Sequence, residues 1–129
     1  VDTFRYFRQT LCQGDFEQTV IPIVSPSTVV ARQWATPLSL VFIDGGHAYE
    51  TALLDYQCWA GHLVPGGYLL IHDLFENLED GGQAPWQVYC QAVASGRFEE
   101  YPRVRTLGVL RRKADQVASQ QFFPDHRPL

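Results

Sequence analysis

Apolar positions along the chain follow two rhythms, one helical and one strand-like. Near the start, Phe4, Phe7 and Leu11 recur every three or four residues, which predicts a helix over residues 3–12 with Gly14 placed to end it. Residues 19–24 are rich in β-branched side chains and predict a short buried strand. Ser25-Pro26-Ser27-Thr28 follows, where Ser25 or Ser27 can cap a helix running to about Trp34, with Pro26 tolerated near its start. Thr36-Pro37 breaks that helix. Leu38 to Ile43 is apolar without alternation, the signature of a strand covered on both faces. Over residues 49–63 the helical rhythm returns, with Ala52, Leu53, Tyr56, Trp59, Ala60 and Leu63 as its inward stripe.

Val64-Pro65-Gly66-Gly67 reads as the turn that ends this helix, and Tyr68 to Ile71 as a third, unbroken apolar strand. Residues 74–85 form a polar, acidic loop containing NLEDGGQAP, and a helix is predicted over 86–94. Residues 98–101 and 105–110 read as a terminal strand pair. The first 113 residues make one domain, and 114–129 read as a C-terminal tail or arm. Apolar strands alternating with helices imply an α/β fold, a mostly parallel sheet with flanking helices.

That architecture has a consequence for the polar residues. The strand ending at Asp44, its helix and the strand ending at His72-Asp73 make a βαβ unit, whose strands run parallel. Neighbouring strands lie about 4.8 Å apart. Asp44 and Asp73 then converge at the carboxyl edge of the sheet, where open α/β sheets place their ligands. Two carboxylates so close repel, and a shared proton or a cation resolves the repulsion. A hard divalent ion such as Mg²⁺ suits oxygen ligands. Aspartates at strand ends also cap helices and hold turns without chemical duty, and both readings stand at this point.

The neighbouring residues divide in the same way. Gly45-Gly46 lies in the strand–loop–helix order in which backbone can approach a small molecule, or it meets the needs of a tight turn. His47, at the mouth of the same edge, can take a proton from a substrate hydroxyl, or be a solvated residue before a helix. His72 can ligate a metal, partner Asp44 or pack, whereas His62 and His126 carry no signal. Ser25, Ser27 and Thr28 are first of all capping residues.

Composition narrows the classes. A chain of 129 residues with 46% hydrophobic residues supports one domain with a real core. A net charge of −4 argues against a nucleic-acid footprint. No apolar run reaches the length of a membrane span, and no secretory signal opens the chain, so a cytoplasmic protein is expected. Cys12, Cys58 and Cys90 are too few and too scattered for a disulfide framework or a zinc ribbon, and Cys12 and Cys58 fall at helical apolar positions expected to be buried. The absence of any methionine suggests a piece of a longer protein.

VFIDGGHAYE, followed after a helix by HLVPGGYLLIHDL, resembles the central part of the class I S-adenosylmethionine-dependent methyltransferases, in particular the small-molecule O-methyltransferase branch. In order of elements the resemblance covers residues 3 to 112. It implies a Rossmann-like fold, S-adenosylmethionine as cofactor and methylation of a small-molecule hydroxyl. It further implies that Asp44 and Asp73 stand where a divalent metal is held, with His72 beside Asp73 as a candidate further ligand from its position alone, and that His47 stands where a general base stands. By the same resemblance, Ser25, Ser27 and Thr28 lie against the adenine ring, Asp44, Gly45 and Gly46 pass the cofactor, and residues 76–84 cover the acceptor.

The departures are as informative. The family's first two strands, with their glycine-rich turn and ribose-holding acid, have no counterpart before Phe4, so the chain corresponds to the C-terminal half of such a domain. Tight binding of S-adenosylmethionine by this half alone is not expected. Leu74 stands where catechol-type members carry an asparagine metal ligand. The sequence therefore leaves open a degenerate, non-catalytic module that kept the fold for self-association, and a weaker reading as a metal phosphohydrolase built on His72-Asp73. Without the family's first strand, the LSLVFID edge is bare, which predicts a homodimer or exchange of elements through that edge.

Overall fold

The computed structural model describes residues 2–46 and 48–114. Four helices and four strands follow in the order α1 (Phe4–Gln13), α2 (Ser27–Gln33), β1 (Leu38–Ile43), α3 (Tyr49–Trp59), β2 (Leu63–Ile71), α4 (Ala84–Ala94), β3 (Phe98–Val104) and β4 (Leu107–Arg112), with a 3₁₀ turn at Ala60–His62. The strands form one sheet in the order β1-β2-β4-β3. β1 and β2 are parallel, as the βαβ reading requires, while β4 runs antiparallel to both β2 and β3. The α/β class with flanking helices is as expected; the mostly parallel sheet is not, because the closing hairpin makes two of the three pairings antiparallel.

The core lies between the sheet and the α3–α4 pair. Leu63, Leu69, Ile71, Val88 and Leu110 are sealed from solvent, and Ala52, Tyr56 and Ala60 repeat every four residues along α3 and its 3₁₀ extension. This is the stripe the spacing predicted, though the α-helix stops at Trp59 and Leu63 already belongs to β2. Burying such side chains contributes about 1.5–3 kcal/mol each. Glycine is required where β2 crowds against β1. A Cβ at Gly67 would stand 2.9 Å from the Val64 carbonyl and 3.0 Å from that of Ser39. The Pro-Gly-Gly stretch is therefore an irregularity inside β2, with Gly66 at φ +81, rather than a turn that ends the helix.

Three other expectations change. Residues 19–24 form no strand: Thr19 and Val20 donate to the Phe16 carbonyl in a turn, and Ile21, Ile23 and Val24 are exposed, with no strand beside them among the described residues. β1 is covered on one face only: Val41 and Ile43 are buried, whereas Leu40 and Phe42 are 50% and 52% exposed. Cys12 is exposed and Cys58 half-buried, so α1 does not sink its thiol into the core; burial raises the pKa of the Cys58 thiol all the same. The expected tail lies, from residue 115 on, outside the described residues.

Candidate functional site at the carboxyl edge

The parallel β1–β2 ladder sets the geometry of the site. Ile43 pairs with Ile71, and the His72 amide donates to the Ile43 carbonyl at 3.0 Å, so the pairing runs one residue past β2. Asp44 and His72 leave the sheet side by side. Asp73 then adopts φ +59, a left-handed conformation that aspartate tolerates better than most residues. This kink returns the chain toward β4, where the Leu74 amide donates to the Thr106 carbonyl at 2.9 Å. Leu74 itself is buried in the core and takes no part in the polar group.

The result is a compact cluster. His72 Nδ1 lies 3.2 Å from Asp44 Oδ1 and 3.0 Å from Asp73 Oδ1. One ligand atom from each of the three residues falls within 4.8 Å of the others. The side chains are 40%, 50% and 28% exposed for His72, Asp44 and Asp73, so the group faces solvent at the carboxyl edge of the sheet. A single imidazole nitrogen cannot satisfy two carboxylates with one N–H, and acceptor capacity is left over for a cation or a donor from outside. Two carboxylate oxygens and one imidazole nitrogen are a donor set that fits a divalent metal ion.

Beneath the cluster is a small cavity of about 10 Å³, room for about one water. Ile43, Ala52, Ile71 and Val88 form its apolar floor, and Gly45, Gly46 and Pro85 its rim. The sequence reading missed Ala52, Pro85 and Val88. The signal was present in the crossover rule, because helices after parallel strands begin at the carboxyl edge; Pro85 stands in the first turn of α4. Gly45 has a local reason to be glycine: a Cβ there would stand 3.0 Å from Asp55 Oδ2.

The remaining candidates fall in two places. His47 lies outside the described residues. Ser25, Ser27 and Thr28 are not brought to the cluster. Pro26, not a serine, occupies the cap of α2, and neither serine makes a capping bond. Ser27 Oγ instead accepts a hydrogen bond from Trp59 Nε1 at 2.7 Å, at the far end of α3. Ser25 and Ser27 line a separate cleft of about 380 Å³ with Trp34, Leu38 and Trp59. The length of α3, about 16 Å at 1.5 Å per residue, separates that cleft from Asp44. His62, which gave no signal in the sequence, ties α2 down through a 3.0 Å contact between Nε2 and the Ala31 carbonyl.

The loop after the cluster is anchored rather than loose. Arg103 stacks over Trp86 at 5.1 Å and reaches Glu76 Oε1 at 2.5 Å, while Gln83 Nε2 donates to the Glu76 carbonyl at 2.6 Å. Among the described residues no helix is long and apolar enough to cross a membrane. A family model described as a methyltransferase domain matches residues 1–74, more than half of the 129 residues and the whole stretch from α1 through β2 to the Asp44–His72–Asp73 cluster.

Proposed function

The chain belongs to the methyltransferase domain family, and from that membership we propose that it serves the transfer of a methyl group from S-adenosylmethionine to a hydroxyl of a small molecule. The observation that carries this reading is the meeting of Asp44, His72 and Asp73 at the carboxyl edge, inside the matched stretch. S-adenosylmethionine supplies an already activated methyl group, so the protein's task is to place the acceptor in line and ease loss of its proton. Gly45 and Gly46 let backbone come close to the cofactor, and His47, which follows directly, is the base in this reading. Asp44, Asp73 and His72 would hold a divalent ion such as Mg²⁺, which when bound lowers the pKa of an acceptor hydroxyl. The loop pinned by Glu76 and Arg103 bounds the acceptor side.

The test is transfer of a labelled methyl group. The chain is given millimolar labelled S-adenosylmethionine and a panel of aromatic and aliphatic alcohols, with Mg²⁺ or with a chelator. Transfer is expected to fall by about 100-fold or more in Asp44→Asn and in His47→Ala. Transfer that is indifferent to both substitutions would remove this edge from the reaction. Binding of S-adenosylhomocysteine by neither this chain nor a form extended at its N-terminus would count against catalysis altogether, whereas binding by the extended form only would mean that the cofactor site needs the preceding strands.

A further inference from the structure

Arg103 is the one basic residue of β3, the strand at the edge opposite β1. Side chains alternate along a strand, and β3 begins regularly. Phe98 is buried in the core and Glu100 meets Tyr89 of α4, while Tyr101 turns to the other face against Tyr68. Unbroken alternation would send Arg103 after Tyr101, away from α4. The register does not hold: Tyr101 pairs with Val109 but Val104 with Leu107, one residue too many on β3. This bulge, which carries Pro102, turns Arg103 back to the α4 side.

There Arg103 takes hold of two pieces of chain. Its guanidinium carbon lies 5.1 Å over the ring of Trp86, in the first turn of α4, and its Nη2 lies 2.5 Å from Glu76 Oε1, where the loop after the cluster begins. Gln83 closes the neck of that loop on the Glu76 carbonyl. Beyond the neck the loop is braced by its own contacts. The Asp80 amide donates to the Asn77 carbonyl at 3.1 Å, and the Phe75 ring fills the space that a Cβ at Gly81 would need. On the same hairpin the Thr106 carbonyl holds the amide of Leu74, directly after Asp73. Pro85, beside Trp86, forms part of the rim of the cavity beneath the cluster. One hairpin tip therefore grips the turn that carries Asp73, the neck of the loop and the start of α4.

We propose that Arg103 is a positioning residue for the methyl acceptor. Through Glu76 and Trp86 it holds residues 76–83 and the first turn of α4 together as one wall beside Asp73, and it touches neither acceptor nor cofactor itself. The role rests on methyl transfer at the carboxyl edge as proposed above. Global stability does not account for these contacts, because the Arg103 and Glu76 side chains are 36% and 49% exposed and such pairs contribute little. What they set is a local equilibrium: a cation over an indole and an exposed ion pair together shift opening of the wall by roughly tenfold. An acceptor that needs the closed wall binds in proportion to the closed population. Loss of Arg103 therefore weakens acceptor binding and leaves the rate from the bound state alone.

The test joins amide hydrogen exchange to steady-state kinetics with the fastest alcohol of the panel above, on the full chain or, where only that form transfers the label, on the N-terminally extended one. In Arg103→Ala the hydrogen-bonded amides of Asp80 and Gln87 should exchange at least about tenfold faster, while residues 69–71 and 108–110 keep the parent's rates. The KM for the alcohol should rise by about tenfold, with kcat within about twofold of the parent and the affinity for S-adenosylhomocysteine unchanged. Arg103→Lys keeps a charge for Glu76 but offers Trp86 no flat face, and should fall between the two. Unchanged Asp80 and Gln87 amides in Arg103→Ala would overturn the proposal. So would faster exchange that spreads to residues 69–71 and 108–110, a KM within about twofold of the parent's, or a loss confined to kcat. Each of these leaves methyl transfer standing. No transfer by the parent in either form would instead remove the reaction, and the role of Arg103 with it.

Discussion

Gly108 offers a sharp test of how the carboxyl edge is supported. It pairs with Ile71, the last residue of β2, and lies directly behind the turn that carries Asp73. A Cβ at this position would stand 2.6 Å from Leu74 Cδ1 and 2.7 and 2.8 Å from two ring carbons of Tyr89. Ordinary carbon contacts lie at about 3.5–4.0 Å, so Gly108→Ala overlaps both neighbours by roughly 1 Å. Leu74 and Tyr89 are each only 4% exposed and neither can swing into solvent. Overpacking of this kind costs about 1–3 kcal/mol, partly offset by the lower chain entropy of alanine, worth up to about 1 kcal/mol. A net loss of about 1–2 kcal/mol corresponds to a fall in Tm of roughly 5 °C in a domain of this size. Thermal unfolding followed by circular dichroism measures it, with Gly82→Ala as control because a Cβ there meets nothing within 4 Å. If Gly108→Ala melts within about 1 °C of the parent, the packing described behind the Asp73 turn is wrong.

Asp73 separates conformation from chemistry. At φ +59, Asp73→Gly should fold at least as stably as the parent, whereas Asp73→Ala should lose about 1 kcal/mol in urea unfolding; equal stability of the two variants would deny the left-handed turn. Tyr89 donates to Glu100 Oε1 at 2.8 Å, and burial first, then that carboxylate, push its hydroxyl up to about 12 from an ordinary 10.0. The folded state thus holds this proton more tightly than the unfolded one, so the contribution is full below pH 10 and is lost as pH rises through about 12. Tyr89→Phe should be about 1 kcal/mol less stable at neutral pH, and the gap should narrow between pH 10 and 12; a constant gap in urea midpoints would refute the shift.

What the sequence made legible, and what it hid, divides by range. The tips bearing Asp44 and His72-Asp73 could be placed because each ends an uninterrupted apolar strand, and one crossover rule then sets them side by side. The α3 stripe was legible for the same reason, through its four-residue repeat. Residues 19–24 failed because β-branched content favours a strand only where a neighbour exists to pair with it, and among the described residues none lies beside Ile21 or Ile23. The apolar run of β1 likewise said that both faces could be covered, not that a second layer was present to cover Leu40 and Phe42. Ser27 was read as a cap because its local pattern allows one; its bond to Trp59 joins residues 32 apart, which no local pattern encodes. The left-handed Asp73 is dictated by the return to Thr106, again a long-range contact.

The central claim is that the edge formed by Asp44, Gly45, Gly46, His72 and Asp73 is the working edge of this methyltransferase domain. A nuclear magnetic resonance titration of the chain with S-adenosylhomocysteine tests it most directly, because it registers weak binding residue by residue. Saturable shifts should appear at the amides of residues 44–46 and 72–73, remain small around Leu38 and Trp59, and need at least about tenfold more ligand in Asp44→Asn. Shifts centred on the Trp34–Trp59 cleft, or none at millimolar ligand, would contradict it.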